Sequence, residues 1–186
     1  MLLGNSEVGK TSLFNRVISG NYFEEGVTTS AAYFRSKIVQ IDEKTELKIN
    51  LWDTAGQEKF HSLTQMYLQD AAGVLLVYDL TQTKSFEDVL LWHKMIADSL
   101  DMSRTVVILL GNKSDNDEMC AVAPQAAAQR AASIGAKGCL EVSAKENINI
   151  DTMLQKLAKE LIIANQSSDA SRLQLVSKQK KKSKCC

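Results

Sequence analysis

The residues best suited to chemistry lie near the start of the chain, where positions 4–11 read G-N-S-E-V-G-K-T. A G-x-x-x-x-G-K-[ST] spacing before an amphipathic stretch is typical of a loop that binds phosphate through backbone N–H groups and a helix N-terminus. Lys10 would reach the β and γ phosphates of a nucleotide, and the Thr11 hydroxyl would bind Mg²⁺. The alternative is a glycine-containing turn before a helix. Nucleotide contacts are predicted for Ser6, Glu7, Val8, Gly9, Lys10, Thr11 and Ser12.

A second group of candidates ends a predicted strand, where positions 52–57 read W-D-T-A-G-Q. Asp53 is placed to hold Mg²⁺ through water, and Gly56 offers a backbone N–H to a γ-phosphate. Gln57 can orient a water for in-line attack, so Gln57 and Lys10 are the candidate catalytic residues. Taken alone the sequence D-T-A-G-Q also fits a surface turn, but its position after a strand favours the metal and phosphate role.

Two further motifs predict which base the nucleotide carries. Asp115 can accept hydrogen bonds from N1–H and the exocyclic amine of guanine, and adenine offers no such pair of donors. Because a buried acceptor left unpaired costs about 1–3 kcal/mol or more, this carboxylate selects the base. Asn112 would brace the loop and bond the base, while the Lys113 stem packs over the ring. A backbone N–H for guanine O6 would come from the motif Ser143, Ala144 and Lys145.

These motifs need strands that bring them to one edge of a sheet. Continuous apolar runs at 74–78 and 106–110 are typical of strands buried on both faces of a parallel sheet, and 139–142 is a shorter run. Segments 37–41 and 48–52 predict an antiparallel hairpin. Only residues 1–3 precede the phosphate loop, so the first strand is expected to be two or three residues long.

Helices are predicted between the strands, at 11–19, 85–100, 124–134 and 150–164. Strands alternating with such helices indicate an α/β fold with a doubly wound sheet. In that arrangement the four motifs meet at the carboxyl ends of the strands. One domain is expected at 1–164, followed by a flexible tail at 165–186, where apolar residues are too few to fold alone.

The composition of the chain argues against several classes of protein. The 186 residues include 22 basic and 22 acidic ones, but six of the basic residues and none of the acidic ones lie in 172–186. An acidic domain with a basic tail argues against nucleic-acid binding over the main surface. No run approaches the roughly 18 apolar residues of a membrane span, and no signal-peptide pattern is present. The cysteines fit neither a disulfide framework nor metal-ligand spacing, which predicts a cytosolic protein: Cys120, Cys139, Cys185 and Cys186.

Over residues 2–164 the sequence resembles the small GTPases of the Ras superfamily, on the four motifs above. Within that superfamily it looks like a Rab, the class that directs vesicle traffic, because positions 56–60 read G-Q-E-K-F and positions 78–81 read Y-D-L-T. The terminal Cys185 and Cys186 support the same reading. Residues 60–67 look most similar to the early-endosomal Rabs. The resemblance implies a P-loop small GTPase fold, with a mostly parallel sheet and one antiparallel edge strand.

The resemblance also implies roles for residues outside the motifs. Counted without gaps from Lys10, the threonine that completes Mg²⁺ coordination falls on Thr29, and a one-residue slip would exchange it with Thr28. Tyr22 sits where the family stacks an aromatic ring on guanine, although it would also fit as a packing residue at a helix end. The aromatic triad that Rab effectors read maps to Phe34, Trp52 and Tyr67, which would otherwise be core residues under the hairpin.

Four departures from the family pattern concern regulation more than chemistry. Ser30 and Ala31 replace the usual Ile-Gly, and positions 68–71 read L-Q-D-A in place of Tyr-Arg-Gly-Ala. Glu7 stands where a small residue is usual, and its carboxylate would repel the phosphates unless it turns to solvent. The first strand is short, which would reduce stability.

The implied activity is a GTP-driven switch with slow intrinsic hydrolysis. Because Val27 occupies the position where some relatives carry an arginine, a partner's arginine would supply an acceleration of about 10³–10⁵-fold. The implied partners are an exchange factor, a GTPase-activating protein, effectors, the prenylation machinery and a GDP-dissociation inhibitor. Prenylated Cys185 and Cys186, with five lysines at 178–184, would attach the protein to an anionic leaflet on the cytoplasmic face of endosomes. Alternatives are a small-molecule kinase, and a module that binds nucleotide without cycling.

Overall fold

A computed structural model describes residues 1–23, 32–54 and 67–166, together with the backbone of Leu175–Ser177. Several predicted site residues lie outside these ranges, and their roles stay predictions: Thr28, Thr29, Gly56, Gln57, Cys185 and Cys186. Among the described residues, no helix combines the length and apolar character needed to cross a bilayer.

The centre of the fold is a four-stranded parallel sheet, ordered β1-β4-β5-β6. Its strands are β1 (Leu2–Leu3), β4 (Gly73–Asp79), β5 (Val106–Asn112) and β6 (Gly138–Glu141). The last residue pair of β4 and β5, Asp79 and Asn112, lies in register, so both strands end at one level of the sheet. The predicted α/β class with a parallel sheet is confirmed.

An antiparallel hairpin flanks this sheet. It consists of β2 (Tyr33–Gln40) and β3 (Thr45–Asp53), which are longer than the predicted segments. Asp42 closes the turn by accepting the backbone N–H groups of Lys44 and Thr45, as an Asx turn does. A further strand, β7 (Leu175–Ser177), pairs antiparallel with β3. The antiparallel part of the fold is therefore more extensive than one edge strand.

The described strands form two hydrogen-bonded groups, and the very short β1 belongs to the parallel one. Its two residues pair with β4, and the hairpin forms its own group with β7. The two groups are tied together where β3 ends, because the buried Thr54 hydroxyl donates to the Leu2 carbonyl oxygen at 2.7 Å. This bond fixes the position of the neighbouring Asp53 relative to the phosphate loop.

Besides a short 3₁₀ helix at Asp117–Met119, five α-helices are described within 1–166, and they cover the sheet from both sides. They are α1 (Lys10–Ser19), α2 (Thr83–Glu87), α3 (Val89–Ser99), α4 (Pro124–Ser133) and α5 (Ile150–Gln166). The sequence predicted one helix over 85–100, but the structure has two helices separated by Asp88. The Asp88 carboxylate accepts hydrogen bonds from Asn5 Nδ2 and Lys84 Nζ. Helix α5 extends two residues past the predicted domain end at 164, and that boundary stays a prediction.

Alternation along β4 and β5 explains why their apolar runs are continuous. Leu75 and Val77 of β4 pack in a cluster with residues of α1, α5 and the hairpin. Leu76 and Tyr78 pack on the opposite face, in a cluster with residues of α3 and α4. Both faces of the sheet are buried, so positions 74–77 and 106–110 are apolar on both faces. The fold thereby holds rigid strands whose carboxyl ends carry the predicted motifs.

Candidate functional site

The phosphate loop depends on glycine at both ends. Gly4 follows β1 with φ 142°, and Gly9 precedes α1 with φ 91°. A Cβ at Gly4 would overlap the Val77 carbonyl oxygen, and a Cβ at Gly9 would overlap Asn112 Nδ2. Both positions therefore combine a left-handed backbone with close approach of another strand. Ser6 and Val8 lie between them, and Ser12 lies in the first turn of α1.

Lys10 is buried at the start of α1, with 5% of its surface exposed. Its ammonium donates to the carbonyl oxygens of Gly4 at 2.9 Å and Asn5 at 2.6 Å, so the side chain lies across the loop. Burial lowers the Lys10 pKa to about 8, and the nearby Asp53 carboxylate opposes that shift. The loop thus holds a cation that lacks a direct carboxylate contact among the described residues, which suits an incoming phosphate.

Asp53 ends β3 beside this lysine and is almost fully buried. Burial raises the pKa of its carboxyl group, while a hydrogen bond with the Thr11 side chain and the charge of Lys10 lower it. One oxygen, Oδ1, has no hydrogen-bond partner among the described residues. A buried acceptor of this kind is costly unless another ligand satisfies it.

A hard cation fits this position. Mg²⁺ prefers oxygen ligands, keeps several waters, and uses one or two protein groups together with substrate phosphates. Asp53 and Thr11 supply such a carboxylate and hydroxyl next to the phosphate loop. The described residues contain no cluster of three or more His, Cys, Asp or Glu side chains that could hold a metal on its own. The arrangement therefore matches a metal shared with phosphates.

Asn112 joins three of the predicted motifs. Its Nδ2 donates to the Val8 carbonyl oxygen at 2.8 Å, within the phosphate loop. Its Oδ1 accepts the Ala144 N–H at 3.3 Å, within the motif that follows β6. The buried amide thus links the phosphate loop to the predicted guanine loop, residues 143–145.

Asp115 is held by Ser143 of the same predicted guanine loop. Ser143 Oγ donates to Asp115 Oδ1 at 2.6 Å and accepts the N–H of Glu146 at 2.9 Å. Ser143 is buried, Asp115 is half-buried and Lys145 is exposed. A carboxylate oriented from one side by a buried hydroxyl is positioned to accept donors from a base on its open side.

Lys113 has an unpredicted partner. Its backbone adopts φ 70°, and its ammonium lies 2.6 Å from Asp79 Oδ2, forming an ion pair with a fully buried carboxylate. The contact has the distance of an ion pair but not the angles of a hydrogen bond. The other oxygen, Oδ1, accepts the Thr81 N–H at 2.9 Å and hydroxyl at 2.8 Å. The sequence predicted the Lys113 stem over the base but not this anchor.

Glu7 occupies the left-handed region with φ 65° and is exposed. For a residue with a Cβ this conformation costs roughly 1–2 kcal/mol relative to a right-handed one. The position therefore favours glycine, and the carboxylate of Glu7 extends from a loop whose other groups suit phosphate. Glu7 is the departure from the family pattern with the clearest structural cost.

Sequence reasoning missed two residues that fix the site, Asn5 within the phosphate loop and Arg16 outside the motifs. Asn5 Nδ2 donates to Asp88 at 2.8 Å and its Oδ1 accepts the Trp92 indole N–H at 2.7 Å, so the phosphate loop is tied to α3. Arg16 of α1 donates to the carbonyl oxygens of Ala144 and Lys145. These contacts span more than 80 positions, and no local pattern signals them.

The aromatic residues predicted for effector contacts lie together. Phe34 and Trp52 face each other across the hairpin, with ring centroids 4.8 Å apart, and Tyr67 lies 5.3 Å from Trp52. Phe34 and Tyr67 are 49% and 44% exposed, so the cluster forms a surface and not a closed core. Tyr22 is half-buried and packs against the core beside α1, and its predicted stacking on a base stays a prediction.

Comparison with known proteins agrees with this geometry. The model of the Ras family matches residues 1–163. Ras-related protein Rab-19 of Rattus norvegicus is 39% identical over 165 residues, which make up 89% of this chain and 75% of the relative. Ras-related protein Rab-13 of Bos taurus is 36% identical over 163 residues, 88% of this chain and 79% of the relative. Ras-related protein RABA2b of Arabidopsis thaliana is 36% identical over 161 residues, with shares of 87% and 74%.

Proposed function

The chain belongs to the Ras family as a Rab-like small GTPase, and from that premise we propose which residues perform its activity. It binds guanine nucleotide, hydrolyses GTP and acts as a switch in vesicle transport. Exchange factors, GTPase-activating proteins and effectors in general follow from the same membership, as does association with intracellular membranes. The residue assignments, the metal, the lipid anchor and the endosomal location are the proposal.

The linkage made by Asn112 is the observation that carries the assignment of the nucleotide site. It sets the phosphate loop and the guanine loop at a fixed separation, as a ligand that touches both requires. Asp115 accepts the two guanine donors, and a backbone N–H of the Ser143–Ala144–Lys145 motif binds O6. The loop from Ser6 to Ser12 surrounds the phosphates, and Lys10 neutralises their charge.

Asp53, Thr11 and Thr29 would hold Mg²⁺, and the bound ion would supply charge neutralisation for phosphoryl transfer. The unpartnered Asp53 Oδ1 supports this assignment for the described pair. Gly56 binds the γ-phosphate in the GTP state, and Gln57 orients the attacking water. Loss of the γ-phosphate contacts on hydrolysis releases the segments that carry these residues.

Hydrolysis by the protein alone is slow, because its own residues supply only part of the charge that stabilises the transition state. A GTPase-activating protein contributes an arginine and raises the rate by about 10³–10⁵-fold. Single-turnover measurement with purified, nucleotide-loaded protein tests this proposal. Turnover within seconds in the absence of any partner would contradict it.

The terminal cysteines and the basic tail attach the switch to membranes. Prenylation of Cys185 and Cys186 by the prenylation machinery gives two lipid chains, which anchor stably where one chain is only marginal. The lysines at 178–184 each add about 1 kcal/mol of attraction to an anionic leaflet. A GDP-dissociation inhibitor returns the GDP form to the cytosol, and effectors on endosomes read Phe34, Trp52 and Tyr67. Unmodified cysteines throughout the native protein, measured by mass spectrometry, would exclude the anchor.

Exchange of Asp115 for asparagine tests the guanine assignment directly. Asparagine presents a donor where aspartate presents an acceptor, so it matches the carbonyl of xanthine in place of the guanine amine. We expect Asp115→Asn to lose GDP affinity and to gain affinity for xanthosine diphosphate, measured by titration of nucleotide-depleted protein. Retained preference for GDP would contradict the assignment.

A further inference from the structure

Arg16 lies on α1 and belongs to none of the nucleotide motifs, yet its guanidinium contacts three backbone carbonyl groups. Nε donates to Ala144 at 2.7 Å, one terminal nitrogen donates to Lys145 at 2.6 Å, and the other donates to Gly20 at 2.5 Å. Two of these carbonyls belong to consecutive residues of the motif that follows β6. The third belongs to the residue that caps the C-terminus of α1.

These contacts define the orientation of a peptide group. The Ala144 carbonyl points at Arg16, and the trans peptide is planar, so the N–H of the same peptide group, on Lys145, points away from Arg16. The next carbonyl, on Lys145, is held by the same guanidinium. The other described bond to this stretch, from Ala144 N–H to Asn112 Oδ1, is longer at 3.3 Å and correspondingly weaker. Arg16 is therefore the strongest described anchor of the Ala144–Lys145 backbone.

The geometry requires arginine specifically. A guanidinium presents N–H groups in a rigid planar fork and can serve three carbonyls at once, whereas an ammonium on a flexible stem is a point charge. Gly20 fixes one side of this fork and the Ala144–Lys145 pair fixes the other. The arrangement ties the end of α1 to the loop after β6 across 128 positions of sequence.

We propose that Arg16 is a positioning residue for guanine recognition: its guanidinium orients the Ala144–Lys145 peptide group so that the N–H of Lys145 meets O6 of the base. This inference rests on the proposed function, because it assumes that the loop after β6 binds guanine. Arg16 contacts no nucleotide in this account and acts through the backbone that it holds. Its loss shortens the residence time of the nucleotide without changing the groups that bind it.

The test compares nucleotide release from the full chain carrying Mg²⁺. Arg16→Lys keeps the positive charge and removes the fork, and Arg16→Gln removes both. GDP and 6-thio-GDP are used as probes, because the thio analogue changes only the O6 acceptor and sulfur accepts hydrogen bonds weakly. We expect GDP release from Arg16→Lys to be about tenfold faster, as for loss of a charge-assisted hydrogen bond, and 6-thio-GDP release to change by a smaller factor.

Arg130→Lys is the matched control. Arg130 lies on α4, also donates to two backbone carbonyls, those of Phe86 and Glu87, and contacts none of the described residues of the nucleotide motifs. Its substitution should leave both release rates unchanged.

Three results would overturn the inference. Release of GDP from Arg16→Lys at the wild-type rate, or equal acceleration of both probes, contradicts a role in orienting the O6 contact. Equal acceleration by Arg130→Lys would show a general loss of rigidity. If wild-type protein retains neither probe, the proposed function itself fails, which distinguishes that failure from failure of the Arg16 proposal. Should Arg16→Gln not fold, Arg16→Lys alone decides the matter.

Discussion

The ion pair between Asp79 and Lys113 gives a sharp prediction about nucleotide retention. Asp79 is fully buried at the end of β4, and the ammonium of Lys113 lies 2.6 Å away with one third of its side chain exposed. Asp79→Asn keeps the shape of the side chain and its ability to accept from Thr81, but it removes the charge that holds the lysine. The stem of Lys113 then loses the anchor that would direct it across the base in the proposed nucleotide site.

The size of the effect follows from burial. Removing one partner of a fully buried ion pair costs about 3–5 kcal/mol, mostly because the remaining charge is left unpaired. Lys113 is partly exposed, so water can replace much of the lost interaction, and we expect about 1–2 kcal/mol to appear as weaker nucleotide binding. This range corresponds to GDP release that is about 5–30-fold faster.

A double-mutant cycle on GDP release measures the coupling energy between Asp79 and Lys113. Lys113→Met keeps the apolar stem and removes the ammonium, so Asp79→Asn should add little in that background if the two side chains act together. Glu160→Gln is the matched control, because it breaks a lysine–carboxylate pair on α5 whose lysine is also 33% exposed. Additive effects of Asp79→Asn and Lys113→Met would refute the coupling, and so would equal acceleration by Glu160→Gln.

Three further predictions concern the phosphate and metal residues. Glu7→Gly removes a negative charge beside the phosphates, so GDP affinity should rise at least about fivefold by titration, and an unchanged affinity contradicts the repulsion argument. Since the folded-state pKa of Lys10 is lowered to about 8 from 10.5, the unfolded chain binds more protons between those values. The free energy of unfolding of nucleotide-free protein should therefore rise from pH 8 to 10.5, and denaturant titration should show a smaller rise for Lys10→Met. Removing divalent ions with a chelator should speed GDP release from wild-type protein and should have much less effect on release from Asp53→Asn. An equal effect on both proteins would show that Asp53 holds no metal.

The sequence predicts those parts of the fold that depend on local pattern. The apolar runs around Val74 and Val106 predict buried parallel strands, because both faces of the sheet are covered and every position must be apolar. The spacing of Gly4, Gly9 and Lys10 predicts the loop, since only glycine fits the close approaches found there.

Contacts between distant segments cannot be predicted from such local patterns. Arg16 is one of two charged residues on α1, and its carbonyl partners Ala144 and Lys145 are 128 and 129 positions away. Asp79 reads as a strand-terminal residue, and its pairing with Lys113 depends on the register of β4 against β5. The contact between Asp88 and Asn5 likewise joins residues 83 positions apart. Tertiary structure decides these features.

The most direct test of the account is the identity of the nucleotide that co-purifies with the full-length protein, released by denaturation and identified by chromatography. The linked loops around Asn112 and the orientation of Asp115 predict guanine nucleotide, present as GDP in near-stoichiometric amount. Protein that carries ATP or ADP would contradict the role of Asp115. Protein that carries no nucleotide, and binds none when GDP and Mg²⁺ are supplied, would contradict the site as a whole.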